Sequence, residues 1–373
     1  MTNKPQFVGE CKRVKLNEIC SKGKSSLRQK DVINDGPYSV YGASGIVGTT
    51  SDYQNEIPYV AVIKDGAGVG RANACEPMTS VLGTMQALIP NPNVERDYLL
   101  YLVRSLRLGE GFSGSTIPHI YFKDYGKIEV PLPSLEAQKW IVSQLGLIEA
   151  QIEQAEAQIT QLDQLVKSRF VEMFGDPVLN PKGWSTQNLK ALGELKNGVN
   201  FKSVDNGFEI KCLGVGDFKD RYAIKDMSIV SDVSLNGEPN ANQLLQDGDV
   251  VFVRSNGNKA LVGRCLIIFP GEEQVTFSGF CIRFRNASKN LKLDYLLNCL
   301  KTDSMRKAMT GRGANIQNLS QSLLSKLKIP LPPLELQQEF SAFISQIDKS
   351  RFVDLGGEGQ VCFLIINCRN ENR

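Results

Sequence analysis

The chain has 373 residues, of which 42% are hydrophobic and 22% are charged, and its formal net charge is only +3. This length can support two domains with separate cores, and the composition is typical of a globular protein. No apolar run approaches the ~20 residues of a membrane helix, and the first residues lack the apolar core of a signal peptide. The sequence therefore predicts a cytoplasmic protein without membrane attachment. A single histidine, His119, and nine cysteines without a CxxC pair argue against a zinc site, a disulfide framework or a histidine-based triad.

The first region, residues 1–133, contains short strand-like runs separated by glycine turns. Examples are IPYVAVI at 57–63 and ALIP at 87–90, and one short helical pattern covers 96–107. This mixture predicts an α+β domain with curled β-sheets, short helices and irregular loops.

Residues 134–174 predict one long helix. Ser134 can cap its start, and Gly175 begins a run of helix breakers. Its apolar residues alternate in steps of four and three, as in a coiled-coil seam: Ile141, Leu145, Ile148, Ile152, Ala155, Ile159, Leu162 and Val166. A helix about 60 Å long with a single apolar stripe needs a partner helix. The alternative is an ordinary long helix that packs on its own domain.

The second region, residues 176–333, has the same character as the first. Strand-like runs occur at 248–255, 265–269 and 279–285, and a helical pattern occurs at 293–301. We therefore expect a second α+β domain.

A second, shorter helix is predicted at 334–352, with Phe340, Ile344 and Ile347 at heptad positions. The two helices could form an antiparallel coiled-coil spacer that joins the two domains. The tail at 353–373 is glycine-rich at first and has no heptad. The stripe on the first helix from about Ile152 to Val166 is therefore expected to lack cover from its own chain, unless the tail folds back over it.

The chain also repeats itself. PLPSLEAQKWIVSQLGLIE at 131–149 matches PLPPLELQQEFSAFISQID at 330–348, at an offset of 199 residues. DYLLYLVRS at 97–105 likewise matches DYLLNCLKT at 294–302. A period this long indicates duplication of a domain, because solenoid repeats are far shorter. The predicted divisions are 1–133, 134–175, 176–333, 334–352 and 353–373.

Glycine-rich loops carry the residues that suit contact with DNA. Arginine and lysine can bind phosphates or guanine edges, and asparagine and glutamine suit adenine edges. The alternative for any one of them is plain turn chemistry. In the first region the candidates are Tyr41, Ser44, Lys64, Arg71, Ser113 and Thr116. In the second region they are Arg254, Asn256, Asn258, Lys259, Arg264, Arg312, Asn315 and Gln317.

No catalytic motif is recognisable. GAGVGR at 66–71 lacks the third glycine of a dinucleotide fingerprint, and SKGKSS at 21–26 lacks the first glycine of a phosphate-binding loop. An adenine-methyltransferase motif, a helicase motif and a correctly ordered nuclease motif are also missing from the sequence.

The repeated PLP helices, MFGDPVLNPKGW at 173–184 and GDVVFVRSNGNKALVGR at 248–264 resemble the specificity subunit of type I restriction–modification systems. YGASGIVG at 41–48 and KDGAGVGR at 64–71 belong to the same resemblance, which covers residues 10 to about 352. It implies two target-recognition domains that each recognise half of a split DNA sequence. It also implies spacer helices that set the half-site spacing and bind methyltransferase subunits.

The resemblance implies partners but no catalysis in this chain. The partners would be double-stranded DNA, methyltransferase (modification) subunits and the ATP-dependent restriction subunit. S-adenosylmethionine, ATP and magnesium would belong to those subunits, and this chain would hold no cofactor. The shortened second helix departs from the family pattern and puts the second docking helix in question. Two alternatives remain: a stand-alone DNA-binding or scaffold protein, and a fused restriction enzyme, which would need a methylase motif.

Overall fold

The structure is a computed structural model, and it describes residues 11–66, 68–111, 118–201, 207–219, 221–310 and 318–353. The chain divides into two compact units, Met1–Glu153 and Gln154–Arg373. Both combine β-sheets with short helices, so the predicted α+β class is confirmed. The candidates Ser113, Thr116, Arg312, Asn315 and Gln317 lie outside the described residues, as does the tail beyond Val353.

The described residues of unit 1 form three small sheets. Its strands are β1 (Lys12–Lys15), β2 (Cys20–Lys22), β3 (Tyr38–Gly42), β4 (Gly45–Thr50), β5 (Tyr59–Ile63), β6 (Ala72–Cys75), β7 (Ser80–Val81), β8 (Met85–Pro90) and β9 (Glu129–Leu132). The sheet orders are β2-β8-β5-β6, β4-β3-β7 and β1-β9. The central strand β5 is apolar and wholly buried, as the run at 57–63 predicted.

The α-helices in this described part of the chain are α1 (Leu16–Ile19), α2 (Arg96–Ser105), α3 (Phe122–Tyr125) and the long α4 (Leu135–Phe174), which continues into unit 2. Leu99 and Val103 on α2 are buried in one core cluster with Val60, Val62 and Leu88 of the main sheet. The apolar face of α2 therefore covers one face of that sheet.

Unit 2 contains the remaining strands. These are β10 (Ser185–Asn188), β11 (Gly193–Asn197), β12 (Phe208–Leu213), β13 (Ala223–Ile224), β14 (Asp232–Leu235), β15 (Asp249–Val253), β16 (Cys265–Ile268), β17 (Val275–Phe277), β18 (Cys281–Asn286) and β19 (Lys328–Leu331). Its other helices are α5 (Leu189–Leu192), α6 (Leu293–Lys301), α7 (Asp303–Thr310), α8 (Gln321–Ser325) and α9 (Leu334–Val353).

The two units have the same topology. In unit 2 the sheet orders are β11-β18-β15-β16-β13, β14-β12-β17 and β10-β19. Each of these corresponds to a sheet of unit 1, with one extra edge strand, β13. The pairing directions also agree, because β3 is parallel to β7 just as β12 is parallel to β17. The duplication inferred from sequence is thus a duplication of the whole fold.

The repeated glutamine near the start of each long helix has a structural reason. Gln138 is fully buried, and its amide oxygen accepts a hydrogen bond from the Glu95 backbone N–H at 2.8 Å. Its amide nitrogen donates to the backbone carbonyls of Asn93 and Pro133, at 3.0 and 2.9 Å. One side chain therefore joins the start of α2, the PLP turn and the start of α4.

Gln337 makes the same three bonds in unit 2. Its amide oxygen accepts from the Lys292 N–H at 2.9 Å, and its nitrogen donates to the carbonyls of Asn290 and Pro332 at 3.1 and 2.9 Å. A buried amide is tolerated only when its hydrogen bonds are made. This requirement explains why both copies of the repeat have glutamine here.

The MFGDPVLNPKGW stretch forms the end of α4. Gly175 has a positive φ of 76°, which permits the left-handed turn that ends the helix. The Lys182 ammonium donates to the carbonyls of Glu172 and Met173 at 2.7 and 2.9 Å, and the Trp184 indole donates to the Phe174 carbonyl at 3.0 Å. Carbonyls without partners in the last helical turn are thus satisfied by side chains that follow it.

Within unit 2, the end of α4 packs beside α9. The rings of Phe170 and Phe174 lie 5.5 and 5.4 Å from the ring of Phe340, and the guanidinium of Arg169 pairs with Glu339 at 3.0 Å. The side chains of Leu162, Val166, Ile344 and Ile347 join the same core cluster. Later residues of α9 therefore lie near earlier residues of α4, which is the predicted antiparallel arrangement.

The expectation of an uncovered stripe on α4 is wrong. Ile152, Ala155 and Val166 are buried. For Val166 the reason is the packing of α9 described above. At its N-terminal end, α4 places Ile141 against the core of unit 1, so this end follows the alternative of a helix packed on its own domain. Leu145 is half-buried and Ile148 is 43% exposed, while Ile159 on the later part of α4 is also half-buried.

Candidate nucleic-acid interface

A tight hairpin joins β5 and β6 in unit 1. The Ile63 N–H donates to the Arg71 carbonyl, and the Gly70 N–H donates to the Ile63 carbonyl, both at 2.8 Å. Gly70 has a φ of 84°, which glycine adopts without strain. Lys64 follows directly after β5 and is half-buried, whereas Arg71 is exposed immediately before β6. The backbone thus holds one lysine and one arginine at the base of the loop.

Unit 2 builds the same hairpin between β15 and β16. The Val253 N–H donates to the Arg264 carbonyl at 2.8 Å, and the Gly263 N–H donates to the Val253 carbonyl at 2.9 Å. Gly263 has a φ of 78°. Arg254 therefore occupies the position of Lys64, and Arg264 occupies the position of Arg71.

A later segment crosses the base of each hairpin. The Ile120 N–H donates to the Lys64 carbonyl at 3.0 Å, and the Leu319 N–H donates to the Arg254 carbonyl at 2.7 Å. These segments end the glycine-rich loops 109–120 and 309–319 that the sequence analysis selected. The structure thus brings the ends of two candidate loops together in each unit.

Both arginines at the hairpin base of unit 2 also have structural bonds. The Arg254 guanidinium donates to the Gly279 carbonyl at 3.2 Å, and the Arg264 guanidinium donates to the Lys219 carbonyl at 2.8 Å. An arginine has five N–H donors, so the bond to the Gly279 carbonyl leaves Arg254 further donors that can bind a phosphate. These bonds fix the direction of each guanidinium.

The tip of the unit 2 hairpin carries Asn256, Asn258 and Lys259. The Asn256 side chain accepts from the Asn258 N–H at 2.8 Å, and the Asn258 side chain accepts from the Ala260 N–H at 3.0 Å. Both asparagines therefore shape the turn with their side-chain oxygen, as the turn-chemistry alternative anticipated. Their amide N–H groups can still donate to a ligand. Lys259 is exposed.

Tyr41 and Ser44 belong to another sheet of unit 1. Tyr41 packs on the core cluster around Tyr59 and Val81, and burial raises the pKa of its hydroxyl. Ser44 is exposed in the turn between β3 and β4. Their sheet differs from the one that carries the hairpin.

Sequence reasoning missed a basic cavity of about 290 Å³ beside the unit 2 hairpin. Its lining includes six cationic side chains and one carboxylate: Lys167, Lys219, Arg221, Arg264, Lys301, Arg306 and Asp163. The Arg306 guanidinium donates to the Ala260 and Val262 carbonyls of the hairpin at 3.0 and 3.3 Å. These residues are up to 143 positions apart in sequence, so no local pattern could predict the cavity.

Most thiols are unsuited to chemistry. Among the described residues the cysteines are unpaired, and all of them except Cys11 are buried. Burial raises the pKa of Cys20 and Cys212 to about 12, so both remain protonated at neutral pH. The described part of the chain contains no cluster of three or more His, Cys, Asp or Glu residues that could hold a metal ion. It also contains no helix long and apolar enough to cross a membrane.

The fold and the candidate site define a class of protein with two copies of one α+β domain. Each copy has a basic hairpin, and one long helix continues from the first unit into the second. A family model for the type I restriction modification DNA specificity domain matches residues 9–164 and 181–354. The chain belongs to this family and contains two copies of its domain.

Similar curated proteins are specificity subunits of type I restriction enzymes. The chain is 25% identical to the StySPI specificity subunit of Salmonella potsdam over 283 residues, which are 70% of this chain and 60% of that protein. It is 26% identical to the MjaVIII specificity subunit of Methanocaldococcus jannaschii over 275 residues, 67% of this chain and 63% of that protein. The matched regions thus span about 60% of the length of these relatives.

The fold also matches a solved structure. The type I restriction–modification S subunit from M. genitalium superposes with a TM-score of 0.52 and 16% identity, covering 99% of this chain and 97% of that one. At this identity the match establishes a common fold.

Proposed function

We propose that this chain is a DNA-recognition subunit that binds a split DNA sequence, one half with each unit. The observation that carries the proposal is the doubled hairpin, with Lys64 and Arg71 in unit 1 and Arg254 and Arg264 in unit 2 at equivalent backbone positions. Two copies of one cationic frame suit two stretches of one duplex, because every half-site presents the same phosphates.

The partners follow from family membership and from the names of the relatives. In this proposal a type I methyltransferase subunit and a restriction subunit associate with the chain, and the chain directs them to the target. The chain itself supplies no reacting group. This part of the proposal is supported by membership of a specificity-domain family and by the lack of a recognisable catalytic motif in the sequence.

The test is co-expression with a type I methyltransferase subunit in a host that lacks both, followed by sequencing that detects N6-methyladenine. We expect methylation at one split motif only when both proteins are present. Methyltransferase alone and chain alone are the controls. Methyl transfer by the purified chain, or an undivided motif, would refute the proposal.

The cations can be tested separately by duplex binding at several salt concentrations. Arg254→Ala should weaken binding to all sequences alike and reduce the slope of log affinity against log salt by about one. Lys289→Ala is the matched control, since Lys289 is an exposed cation in the same unit and lies outside the hairpin. An unchanged affinity and slope for Arg254→Ala would remove this residue from the interface.

A further inference from the structure

The two hairpins share their cations but differ in the side chains beside them. Residue 65 follows Lys64, and residue 255 follows Arg254, so these two positions are equivalent. Unit 1 has Asp65 at this position, and unit 2 has Ser255.

The crossing segment supplies a second pair of equivalent positions. The backbones of Asp65 and His119 form an isolated antiparallel bridge, and those of Ser255 and Asn318 form the same bridge in unit 2. His119 and Asn318 are also 199 residues apart, which is the offset of the repeat. The shared frame thus holds an Asp–His pair in one unit and a Ser–Asn pair in the other.

A third position differs as well. The Lys64 N–H donates to the Thr84 carbonyl at 3.0 Å, and the Arg254 N–H donates to the Phe280 carbonyl at 2.7 Å. Thr84 is exposed, and Phe280 is 61% exposed although it is a large apolar residue. Unit 2 thus has an exposed aromatic side chain at the position where unit 1 has a threonine.

The unit 1 pair lies at a cavity. The His119 imidazole Nδ1 lies 2.6 Å from the Asp65 carboxylate, and the two side chains are 37% and 29% exposed. They line a space of about 380 Å³ together with Lys22, Lys64 and the exposed Tyr121. The pair is thus oriented by its own hydrogen bond and remains accessible to a ligand.

The chemistry of the shared and the differing positions separates their roles. Positive charge at equivalent places suits phosphates, which are identical in every sequence. A carboxylate is repelled by phosphates, but it accepts hydrogen bonds from the amino group of cytosine. Asparagine suits adenine, and an apolar ring can contact the methyl group of thymine. Side chains that differ on an identical frame suit two half-sites of different sequence.

We propose that the Asp65–His119 pair and the Ser255–Asn318 pair contact base edges and determine which bases each unit prefers in its own half-site. This inference rests on the proposed function and deepens it. The residues at each isolated bridge then determine base preference. The neighbouring cations Lys64 and Arg254 contribute affinity for DNA of any sequence.

The test exchanges the pairs on the full chain. Asp65→Ser with His119→Asn gives unit 1 the pair of unit 2, and Ser255→Asp with Asn318→His makes the reverse exchange. Each protein, with a co-expressed type I methyltransferase subunit, selects duplexes from a pool with two randomised segments, which are then sequenced. We expect each exchange to change the preferred bases in one half by about tenfold or more and to leave the other half unchanged.

The unchanged half shows that the rest of the protein is folded and bound. Lys64→Ala is the contrasting variant: it should lower recovery of all duplexes and keep both sets of base preferences. If both exchanges leave the selected motif unaltered, or alter both halves together, the inference is overturned. It is also overturned if both exchanges only lower general affinity as Lys64→Ala does. If the unmodified chain selects no motif, the proposed function itself fails.

Discussion

The main sheets of the two units share the order of four strands but bury different side chains at some equivalent positions. In unit 2, Asp249 at the start of β15 is fully buried and holds Arg285 by two hydrogen bonds of 2.8 and 2.7 Å. The equivalent residues of unit 1 are Tyr59 and Ile89, because the β5–β8 register matches the β15–β18 register. One ladder of backbone hydrogen bonds thus supports either an ion pair or an apolar contact.

The neighbouring Arg283 extends this difference. Its side chain is fully buried and donates to the Glu194 carboxylate at 2.9 Å, whereas unit 1 has Ala87 at the equivalent position. Burial lowers the pKa of Arg283, while the hydrogen bond to Asp249 raises the pKa of Arg285. Backbone pairing therefore fixes the shared fold, while the side chains buried at equivalent strand positions differ between the two units.

The largest expected effect is on the ion pair of unit 2. Asp249→Ala should lower the free energy of unfolding of unit 2 by about 3 kcal/mol, because the half-buried Arg285 would keep its charge without its partner. Denaturant unfolding followed by Trp184 fluorescence, in a Trp140→Phe background, reports on unit 2 alone.

The matched control removes both charges. Asp249→Ala combined with Arg285→Met should destabilise unit 2 less than Asp249→Ala does, since no unpaired charge remains. The cycle also needs Arg285→Met alone. If the loss in the double variant equals the sum of the losses in the two single variants, Asp249 and Arg285 are not coupled, and the difference from Tyr59 and Ile89 does not affect stability.

The next largest loss of stability is expected from replacing the buried glutamines, and it should be the same in both units. Gln138→Ala and Gln337→Ala each leave backbone groups that are at least partly buried without partners, so each should cost about 1–3 kcal/mol. Trp140 reports on unit 1 and Trp184 on unit 2, each with the other tryptophan replaced by Phe. The exposed neighbour Lys139→Ala should have almost no effect. A large loss in only one unit would show that the two amides are not equivalent.

A smaller effect is expected at the end of α4 in unit 2, where the Lys182 ammonium binds carbonyls of the last helical turn. Lys182→Ala removes a cation from the carbonyls of Glu172 and Met173 and should cost about 0.3–1 kcal/mol. The loss should shrink in 1 M salt, where helix–charge attraction is screened. Lys182→Gln, which keeps a donor without charge, should lose part of this amount. A loss that is independent of salt would assign the effect to packing.

The smallest effect concerns pH and two aspartates of unit 2. Burial raises the pKa of Asp176, but hydrogen bonds from the Leu179 N–H, Ser304 and the Val178 N–H outweigh it, so its pKa lies below the ordinary value. Its contribution to stability is therefore complete above the ordinary pKa and is lost as pH falls through the lowered pKa. Asp176→Asn should flatten the decline of the urea midpoint below a pH of about 4.

Asp217 gives the opposite sign. Burial raises its pKa, so its contribution is complete at low pH and is lost as pH rises through the raised pKa. Asp217→Asn should therefore improve in stability, relative to the unmodified chain, as pH rises above about 4. A parallel response of the two variants would contradict the assigned directions.

Local pattern was sufficient for the long helices and the main buried strands of this fold, but not for the short edge strands and short helices. The helix predicted at 134–174 is observed at Leu135–Phe174, and the helix predicted at 334–352 is observed at Leu334–Val353. Heptad spacing, a serine cap and glycine stops act within a few residues, so the sequence shows them directly. The strands at 59–63 and 249–253 were likewise evident as apolar runs bounded by turns. The predicted domain boundaries and DNA contacts stay predictions.

What the sequence by itself determined is therefore the two long helices, the main buried strands, the duplication and the loops that carry cations. Only the tertiary structure decided that Lys64 corresponds to Arg254 and that His119 meets Asp65, because the hairpins differ in length and the bridges join residues far apart in sequence. It also decided that Ile152 and Ala155 are buried and that Gln138 joins three segments. Burial and strand register depend on residues that are distant along the chain, and the local periodicity of the sequence does not indicate which of these residues come into contact.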